Sequence, residues 1–382
     1  MTMPEQKKAV VPRLRFPEFR DAGPWEVKQL GEVAEIYQPE TIPLSSLSNN
    51  GEFLVYGANG IIGRFDCYNH EQPQIAVTCR GSTCGEVMLT RPRSWITGNS
   101  MVVNVDNSPG VIKGFLYFQL KGTNWNYLIT GSGQPQITGE IKKHKVALPS
   151  LDEQQKIADC LSSLDELIEL QAKKLEALQA HKKGLMQQLF PREGETTPRL
   201  RFPEFRNAEP WEVKRLSDIA RHETSSLTLN TLVLTDSGYP IYGANGCIGF
   251  IDSFEQEDKY IAMVKDGSGV GRLTIREGKS SVLSTLTYIK PREKSVLVTW
   301  LYYCLSAFDL SCFIKGSGIP HIYFSDVGAT KVGLPSLPEQ QKIADCLSSL
   351  DELIELQAKQ LEALQAHKKG LMQQLFPQEI DL

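Results

Sequence analysis

The sequence predicts an α+β protein in which two mixed domains alternate with two long helices, the whole built as an internal repeat. The residues PRLRFPEFRDAGPWEVKQL, starting at Pro12, return as PRLRFPEFRNAEPWEVKRL starting at Pro198. Residues 153–191 return as residues 339–377 with one change, Lys174 against Gln360. Because self-similarity at a fixed offset indicates a repeat architecture, one structural unit is expected to occur twice.

The repeat predicts an alternation of constant and variable blocks. The sequence between the constant blocks diverges. The two copies of each constant block are therefore expected to have the same function, and the two variable blocks to have related but different functions. The predicted order is an N-terminal constant segment (1–30), a first variable domain (31–147), a central constant helix (148–194), a second copy of the N-terminal segment (195–216), a second variable domain (217–333) and a C-terminal constant helix (334–382).

The constant segment 153–191 has the pattern of one long helix. Apolar residues recur at spacings of three, four or seven and form one stripe, with Pro149 and Pro191 on either side. The stripe consists of Ile157, Leu161, Leu164, Ile168, Leu175, Leu178, Leu185 and Leu189. Its expected partner is the second copy, in an antiparallel coiled coil with a pseudo-two-fold relation between the halves. Gln171 and Gln357 are expected near the crossing, where a polar residue can fix the register of the pair.

The variable blocks are typical of compact α+β domains. Runs such as FLVYGANGIIGRF are rich in β-branched and aromatic residues interrupted by glycine, and Asn59-Gly60 and Asn245-Gly246 suit tight hairpin turns. Each block also contains one predicted short helix: GVIKGFLYFQL near Gly110 in the first and VLVTWLYYCL near Val296 in the second.

The amino-acid composition excludes few classes of function. Hydrophobic residues make up 41% and charged residues 23%, as in an ordinary globular protein. No run of about 18 apolar residues and no signal-peptide pattern occurs, which predicts a cytoplasmic protein without membrane contact. The formal net charge of −4 argues mildly against nucleic-acid binding. Cys79 and Cys84 have the spacing of half a zinc site, but no second pair lies nearby in the sequence.

No pattern of an active site is found. The P-loop, the zinc-protease motif, the nucleophile elbow and the kinase signatures are all absent. The two GANG stretches lack the dinucleotide-binding fingerprint and are interpreted as hairpin turns.

The chemistry of the variable blocks favours nucleic-acid recognition. Asn, Gln, Arg, Lys, Ser and Thr contact base edges, and cationic side chains contact phosphates. Such residues lie in glycine-flanked loops that correspond between the blocks, although polar residues are common in any loop. The candidates are Asn59, Arg64, Arg80, Ser82, Thr83, Asn99, Ser132, Gln134 and Gln136 in the first block, and Asn245, Lys265, Ser268, Arg272, Ser317 and His321 in the second.

Two repeated segments resemble the specificity subunits of type I restriction–modification enzymes. They are PRLRFPEF…PWE and LPSL-x-EQQKIADCLSSLDELI…LEALQAHKKGLMQQLFP, each of which occurs twice. The similarity covers nearly the whole chain. In that family two target-recognition domains alternate with two constant helical regions, and each domain contacts one half of a bipartite DNA target.

The resemblance implies a non-catalytic subunit with several partners. One copy per complex would bind double-stranded DNA, two modification subunits that methylate adenine, and two restriction subunits. S-adenosylmethionine, ATP and Mg²⁺ would be bound by those partners, and no cofactor by this chain. Leu170 and Leu356 fall off the apolar stripe at equivalent positions of the repeat and are candidates for partner contact. The family has no fixed base-contacting motif, so the loop residues above rest on chemistry alone.

Two other classes remain open at this point. A coiled-coil adaptor whose variable domains bind proteins or glycans has the same repeat, and an α/β enzyme is the weaker alternative. DNA binding that weakens with salt would distinguish the first interpretation, and turnover by the isolated chain would indicate the last.

Overall fold

The computed structural model describes residues 10–131, 133–192, 194–316 and 318–377. The chain forms two compact units. Unit 1 comprises residues 1–172 and 359–382, and unit 2 comprises residues 173–358. Each unit therefore contains one variable domain, half of one long helix and the opposite half of the other. No helix of the described residues is both long and apolar enough to cross a membrane.

The elements of unit 1 are β1 Glu26–Gln29, α1 Leu30–Val33, β2 Glu35–Tyr37, β3 Phe53–Gly57, β4 Gly60–Phe65, β5 Ile75–Thr78, β6 Val87–Leu89, β7 Ser94–Ile96, β8 Ser100–Asn104, α2 Lys113–Lys121, β9 Lys145–Leu148 and α3 Leu151–Leu189. The strands form a four-stranded sheet, a three-stranded sheet and a two-stranded ribbon, in the orders β2-β8-β5-β6, β4-β3-β7 and β1-β9. All pairings are antiparallel except β3 with β7.

The elements of unit 2 are β10 Glu212–Arg215, α4 Leu216–Ile219, β11 Ala220–Thr224, β12 Tyr239–Gly243, β13 Gly246–Ile251, β14 Tyr260–Val264, β15 Leu273–Arg276, β16 Ser281–Val282, β17 Leu286–Pro291, α5 Val298–Ser306, α6 Phe324–Gly328, β18 Lys331–Leu334 and α7 Leu337–Leu375. The strands repeat the three sheets of unit 1, in the orders β11-β17-β14-β15, β13-β12-β16 and β10-β18. The predicted hairpins at Asn59-Gly60 and Asn245-Gly246 and the two predicted short helices, α2 and α5, are confirmed.

The predicted long helices are confirmed and run antiparallel within each unit. In unit 1, Ile157 and Leu161 of α3 share a core with Leu375 of α7. In unit 2, Leu189 of α3 shares a core with Ile343 and Leu347 of α7. The start of each helix thus lies with the end of the other.

Both cores are centred on aromatic residues from distant parts of the chain. In unit 1 the ring of Phe376 lies 6.4 Å from Trp25 and 5.3 Å from Phe115. In unit 2 Phe190 takes the same place, 6.3 Å from both Trp211 and Trp300. Each variable domain is therefore fixed to its helices by apolar burial, which stabilises by about 25 cal/mol for each Å² removed from water.

The PRLRF segments attach to the helices through buried ion pairs. Arg15 donates from Nε and Nη2 to the carboxylate of Glu153, at 2.8 and 2.5 Å. Arg201 donates in the same way to Glu339, at 2.8 and 2.7 Å. In both pairs the side chains are no more than 6% exposed. Planar, two-point pairing of this kind fixes orientation as well as distance.

A second polar contact joins the helices themselves. Lys182 pairs with Asp351 at 2.5 Å in unit 2, and its copy Lys368 pairs with Asp165 in unit 1. The Lys368 ammonium lies 4.9 Å from the centre of the Phe118 ring, and burial lowers the pKa of this lysine. Gln171 belongs to unit 1 and the buried Gln357 to unit 2, and their approach stays a prediction.

Candidate nucleic-acid interface

Four loops of unit 1 meet at one place, and we call them the unit 1 loop cluster: residues 58–59, 79–86, 97–99, and 130–131 with 133–137. Backbone hydrogen bonds join the last three. The amide of Cys79 donates to the carbonyl of Asn99 at 2.8 Å, that of Gly81 to Pro135 at 3.0 Å, and that of Ile137 to Cys79 at 3.0 Å. The loops are therefore held by the main chain, which leaves their side chains free to differ.

The β3–β4 hairpin turn is bound to this cluster by a threonine. Thr83 donates from Oγ1 to the carbonyl of Ala58 at 2.8 Å, and the same hydroxyl lies 3.1 Å from Oδ1 of Asn59. Thr78 adds a bond to the same carbonyl at 3.1 Å. Two sequence-predicted residues, Asn59 and Thr83, are thus brought into contact.

The other predicted residues of the cluster point mostly to solvent. Arg80, Ser82, Gln134 and Gln136 are exposed, whereas Asn99 is half-buried. Arg80 lies opposite Gln136 in an isolated antiparallel bridge. Ser132 lies outside the described residues.

Arg64 does not join the cluster. It lies on β4 opposite Leu54, well along the hairpin from the turn. Its Nη1 donates to the carbonyls of Gly51 and Glu52, at 3.3 and 3.0 Å. The Arg64 guanidinium is therefore bound to the main chain of the two residues that precede β3.

Unit 2 has the corresponding loop cluster: residues 244–245, 265–272, 283–285, and 315–316 with 318–322. Its backbone bonds repeat those of unit 1. The amide of Lys265 donates to Thr285, that of Gly267 to Pro320 and that of Ile322 to Lys265, each at 2.9 Å. The main-chain frame is thus the same in both variable domains.

The side chains on this common frame differ in charge and in contacts. Arg272 donates to the carbonyl of Ala244 at 3.0 Å and reaches Oδ1 of Asn245 at 3.5 Å, so an arginine holds the hairpin turn that Thr83 holds in unit 1. Asp266 occupies the place of Arg80 and pairs with His321.

The remaining predicted residues of unit 2 differ in exposure. Ser268 is exposed and Lys265 is half-buried. Ser317 lies outside the described residues.

Two residues of the unit 2 cluster were not predicted from the sequence. Ile319, at the place of Gln134, is 73% exposed. Lys315 is also exposed, pairs with Asp326 at 2.8 Å and lies 5.9 Å from the Tyr323 ring centre. Ile319 lacks the polar chemistry on which the predicted contacts rest. Its position in the GSGIPHI segment, which matches that of Gln134 in GSGQPQI, is the signal that could have identified it.

The cysteines of the unit 1 cluster are not arranged as a metal centre. Burial raises the pKa of the Cys79 and Cys84 thiols. Within the part of the chain that the structure describes, no group of three or more His, Cys, Asp or Glu side chains is placed to hold a metal ion.

The predicted partner-contact residues lie on the surface of the long helices. Leu170 is 63% exposed and Leu356 54% exposed. Leu167 and Leu353, one turn away, are also exposed. The same small apolar patch is therefore present once in each unit.

A profile of the type I restriction modification DNA specificity domain matches the chain twice, over residues 23–180 and 208–366. The two matches include both variable domains and most of both long helices. The chain belongs to the type I restriction–modification DNA specificity family. This confirms the resemblance carried by the repeated segments, and with it a role in DNA sequence specificity.

Known members of the family are similar over nearly the full length. The type I restriction enzyme MjaVIII specificity subunit of Methanocaldococcus jannaschii is 26% identical, with 96% of this chain and 94% of that protein aligned. A putative type I restriction enzyme specificity subunit of Haemophilus influenzae is 23% identical, with 86% and 88% aligned.

Solved structures of the family share the fold. The S subunit of a type I restriction–modification system from M. genitalium superposes with a TM-score of 0.73 at 19% identity, covering 97% of this chain and all of the other. A chain from a study of complex assembly in the type I R-M system superposes with a TM-score of 0.52 at 16% identity, covering 93% of this chain and 98% of the other.

Proposed function

We propose that the chain is the sequence-specific DNA-binding subunit of a type I restriction–modification complex, and that it binds an asymmetric bipartite target. Each variable domain contacts one half-site through its loop cluster. The observation that carries this proposal is one main-chain frame, present twice, with different exposed side chains on it.

The asymmetry of the target follows from those side chains. Phosphate contacts position a protein on DNA, and contacts to base edges give it specificity. At equivalent places the two clusters present Arg80 and Asp266, and Gln134 and Ile319. Clusters that differ in charge and polarity favour different bases, so the two half-sites differ.

The chain itself does no chemistry in this proposal. Two modification subunits methylate adenine and two restriction subunits cleave, and the exposed leucines of the long helices, Leu170 and Leu356, contribute to partner docking. S-adenosylmethionine, ATP and Mg²⁺ are bound by those partners. One copy of the chain serves each complex. This assignment is supported by the family and by the absence of catalytic motifs from the sequence.

An exchange of one variable block tests the proposal. Residues 31–147 are replaced by the matching block of a family member, and the methylated target is read by methylome sequencing of cells that carry the chain and its partners. We expect one half-site to change and the other to stay. A change in both half-sites, or in neither, would contradict the assignment of one half-site to each domain.

A matched control comes from the constant blocks. Lys174→Gln makes the two copies of the 39-residue segment identical, and it alters only an exposed position of α3. The methylated target of K174Q is expected to equal that of the wild type.

A further inference from the structure

The tip of one loop in unit 2 exposes an isoleucine on a rigid frame. Ile319 is 73% exposed. A single exposed apolar residue is ordinary and needs no explanation. This one, however, occupies the same place in its loop cluster as Gln134 does in unit 1, within the GSGIPHI and GSGQPQI segments.

Main-chain bonds close both loops behind this residue. Lys315 and His321 exchange two backbone hydrogen bonds of 2.8 Å, and Thr130 and Gln136 exchange two of 2.9 Å. The proline that follows each tip residue is also fixed, since its carbonyl accepts from Gly267 in unit 2 and from Gly81 in unit 1.

Glycine is required where each loop turns. Gly316 and Gly131 have φ of +92° and +95°. A Cβ at Gly316 would meet the carbonyl oxygen of Ile319 at 2.7 Å, and one at Gly131 would meet that of Gln134 at 2.5 Å. The backbone of the tip residue is thus packed against the glycine, and its position is set before any ligand arrives.

The tips themselves face open space. A Cβ added at Gly318 or at Gly133, next to each tip residue, would meet no atom within 4 Å. A preorganised loop loses little backbone freedom on binding. Such a position is well suited to contact a base edge.

We propose that residue 319 is a base-contacting position, and that Ile319 recognises the C5 methyl group of a thymine in the major groove. Its counterpart Gln134 recognises an adenine of the other half-site. Apolar side chains contact the thymine methyl, and glutamine bonds in two-point fashion to N6 and N7 of adenine. This inference rests on the proposed function, because it names the specificity of two positions within the loop clusters.

The test is the selection of duplexes from a randomised DNA library by the full chain with its modification partners. Ile319→Gln is expected to change one position of one half-site from thymine to adenine. Gln134→Ile is expected to change one position of the other half-site from adenine to thymine. The control is Val213→Gln, the same kind of change at a 47% exposed residue of the constant strand β10; it is expected to leave the selected sequence unchanged.

A modified base tests the methyl contact directly. Deoxyuridine in place of the assigned thymine removes only the methyl group. The wild type is expected to bind this duplex about fourfold more weakly, the effect of one buried methyl group, and I319Q to bind both duplexes equally.

The outcomes separate the two levels of inference. If the wild type selects a bipartite sequence but I319Q selects the same one, residue 319 does not contact a base, and the proposed function stands. Equal wild-type affinity for thymine and deoxyuridine overturns the methyl contact in the same way. A wild type that selects no sequence overturns both.

Discussion

Arg201 binds Glu339 through two hydrogen bonds of 2.8 and 2.7 Å across 138 residues of sequence. The guanidinium also donates from Nη1 to the carbonyls of Ala208 and Glu209. The pair therefore joins the second PRLRF segment both to the first turn of α7 and to its own following turn. Arg15 and Glu153 do the same in unit 1.

Breaking this pair is expected to destabilise unit 2 strongly. Arg201→Met leaves the carboxylate of Glu339 buried without its partner, which typically costs about 3–5 kcal/mol. Urea unfolding, with hydrogen exchange of unit 2 peptides to locate the effect, measures the loss. Because the charge left behind causes most of the cost, R201M combined with Glu339→Leu should be more stable than R201M alone.

An exposed pair nearby is the control. Lys342 and Glu204 lie 3.2 Å apart, and their side chains are 51% and 46% exposed. Lys342→Met is expected to change stability by less than about 1 kcal/mol. If R201M and K342M lowered the free energy of unfolding equally, the buried Arg201–Glu339 pair would not anchor the second PRLRF segment.

Acid is expected to weaken unit 1 through His144. This side chain is 8% exposed, its Nδ1 lies 2.6 Å from the Tyr127 hydroxyl, and burial lowers its pKa from 6.5 to about 4. The unfolded chain therefore takes up a proton at a higher pH than the folded one. Stability is fully present above pH 6.5, falls as the pH drops through 6.5, and levels off below about pH 4.

Replacing His144 by its counterpart measures this contribution. Thr330 occupies the same place in unit 2, where its carbonyl also accepts from a leucine amide. We expect His144→Thr to reduce the stability lost between pH 7.5 and pH 5 by about 2 kcal/mol. His181→Gln, on an exposed part of α3, is the control. A pH dependence unaltered by H144T would mean that the pKa of His144 is the same in the folded and the unfolded chain.

Arg80 is expected to contact a DNA phosphate. Arg80→Ala should weaken binding and make the negative slope of log K against log salt concentration shallower by about 0.9, because one fewer counterion is released. Fluorescence anisotropy on a duplex target measures this slope, over a range of about 50 to 200 mM salt. Arg20→Ala, which replaces an exposed arginine of the constant segment, is the control. An R80A slope equal to that of R20A would mean that Arg80 contacts no phosphate.

The repeat also predicts the symmetry of the target. A chain in which residues 217–333 are replaced by a copy of residues 31–147 carries two identical variable domains on antiparallel helices. Its methylated target is expected to be an interrupted palindrome, because a two-fold relation presents identical loops to opposite strands. Methylome sequencing gives the answer, and a direct repeat would contradict the two-fold relation.

The long helices and the loop frames could be predicted because their signals are local or doubled. A 3.6-residue period marks α3, and paired glycines mark the corresponding loops. Contacts between distant residues left no such signal. Arg64 has the composition of a DNA-contacting residue, yet its guanidinium is engaged by the carbonyls of Gly51 and Glu52. Likewise only the folded chain shows that Ile319 is exposed and that Arg272 holds the hairpin turn.

Unit 1 is built from two stretches of the chain, one synthesised before unit 2 and one after it. Its core includes Leu375 and Phe376, which pack with Trp25 and Phe115, whereas unit 2 is one continuous stretch of residues 173–358. Since domains fold as they leave the ribosome, unit 2 can close while the first variable domain still exposes the apolar site for Phe376. During translation that site is open to chaperones, and a stop codon a few residues early would leave it open permanently.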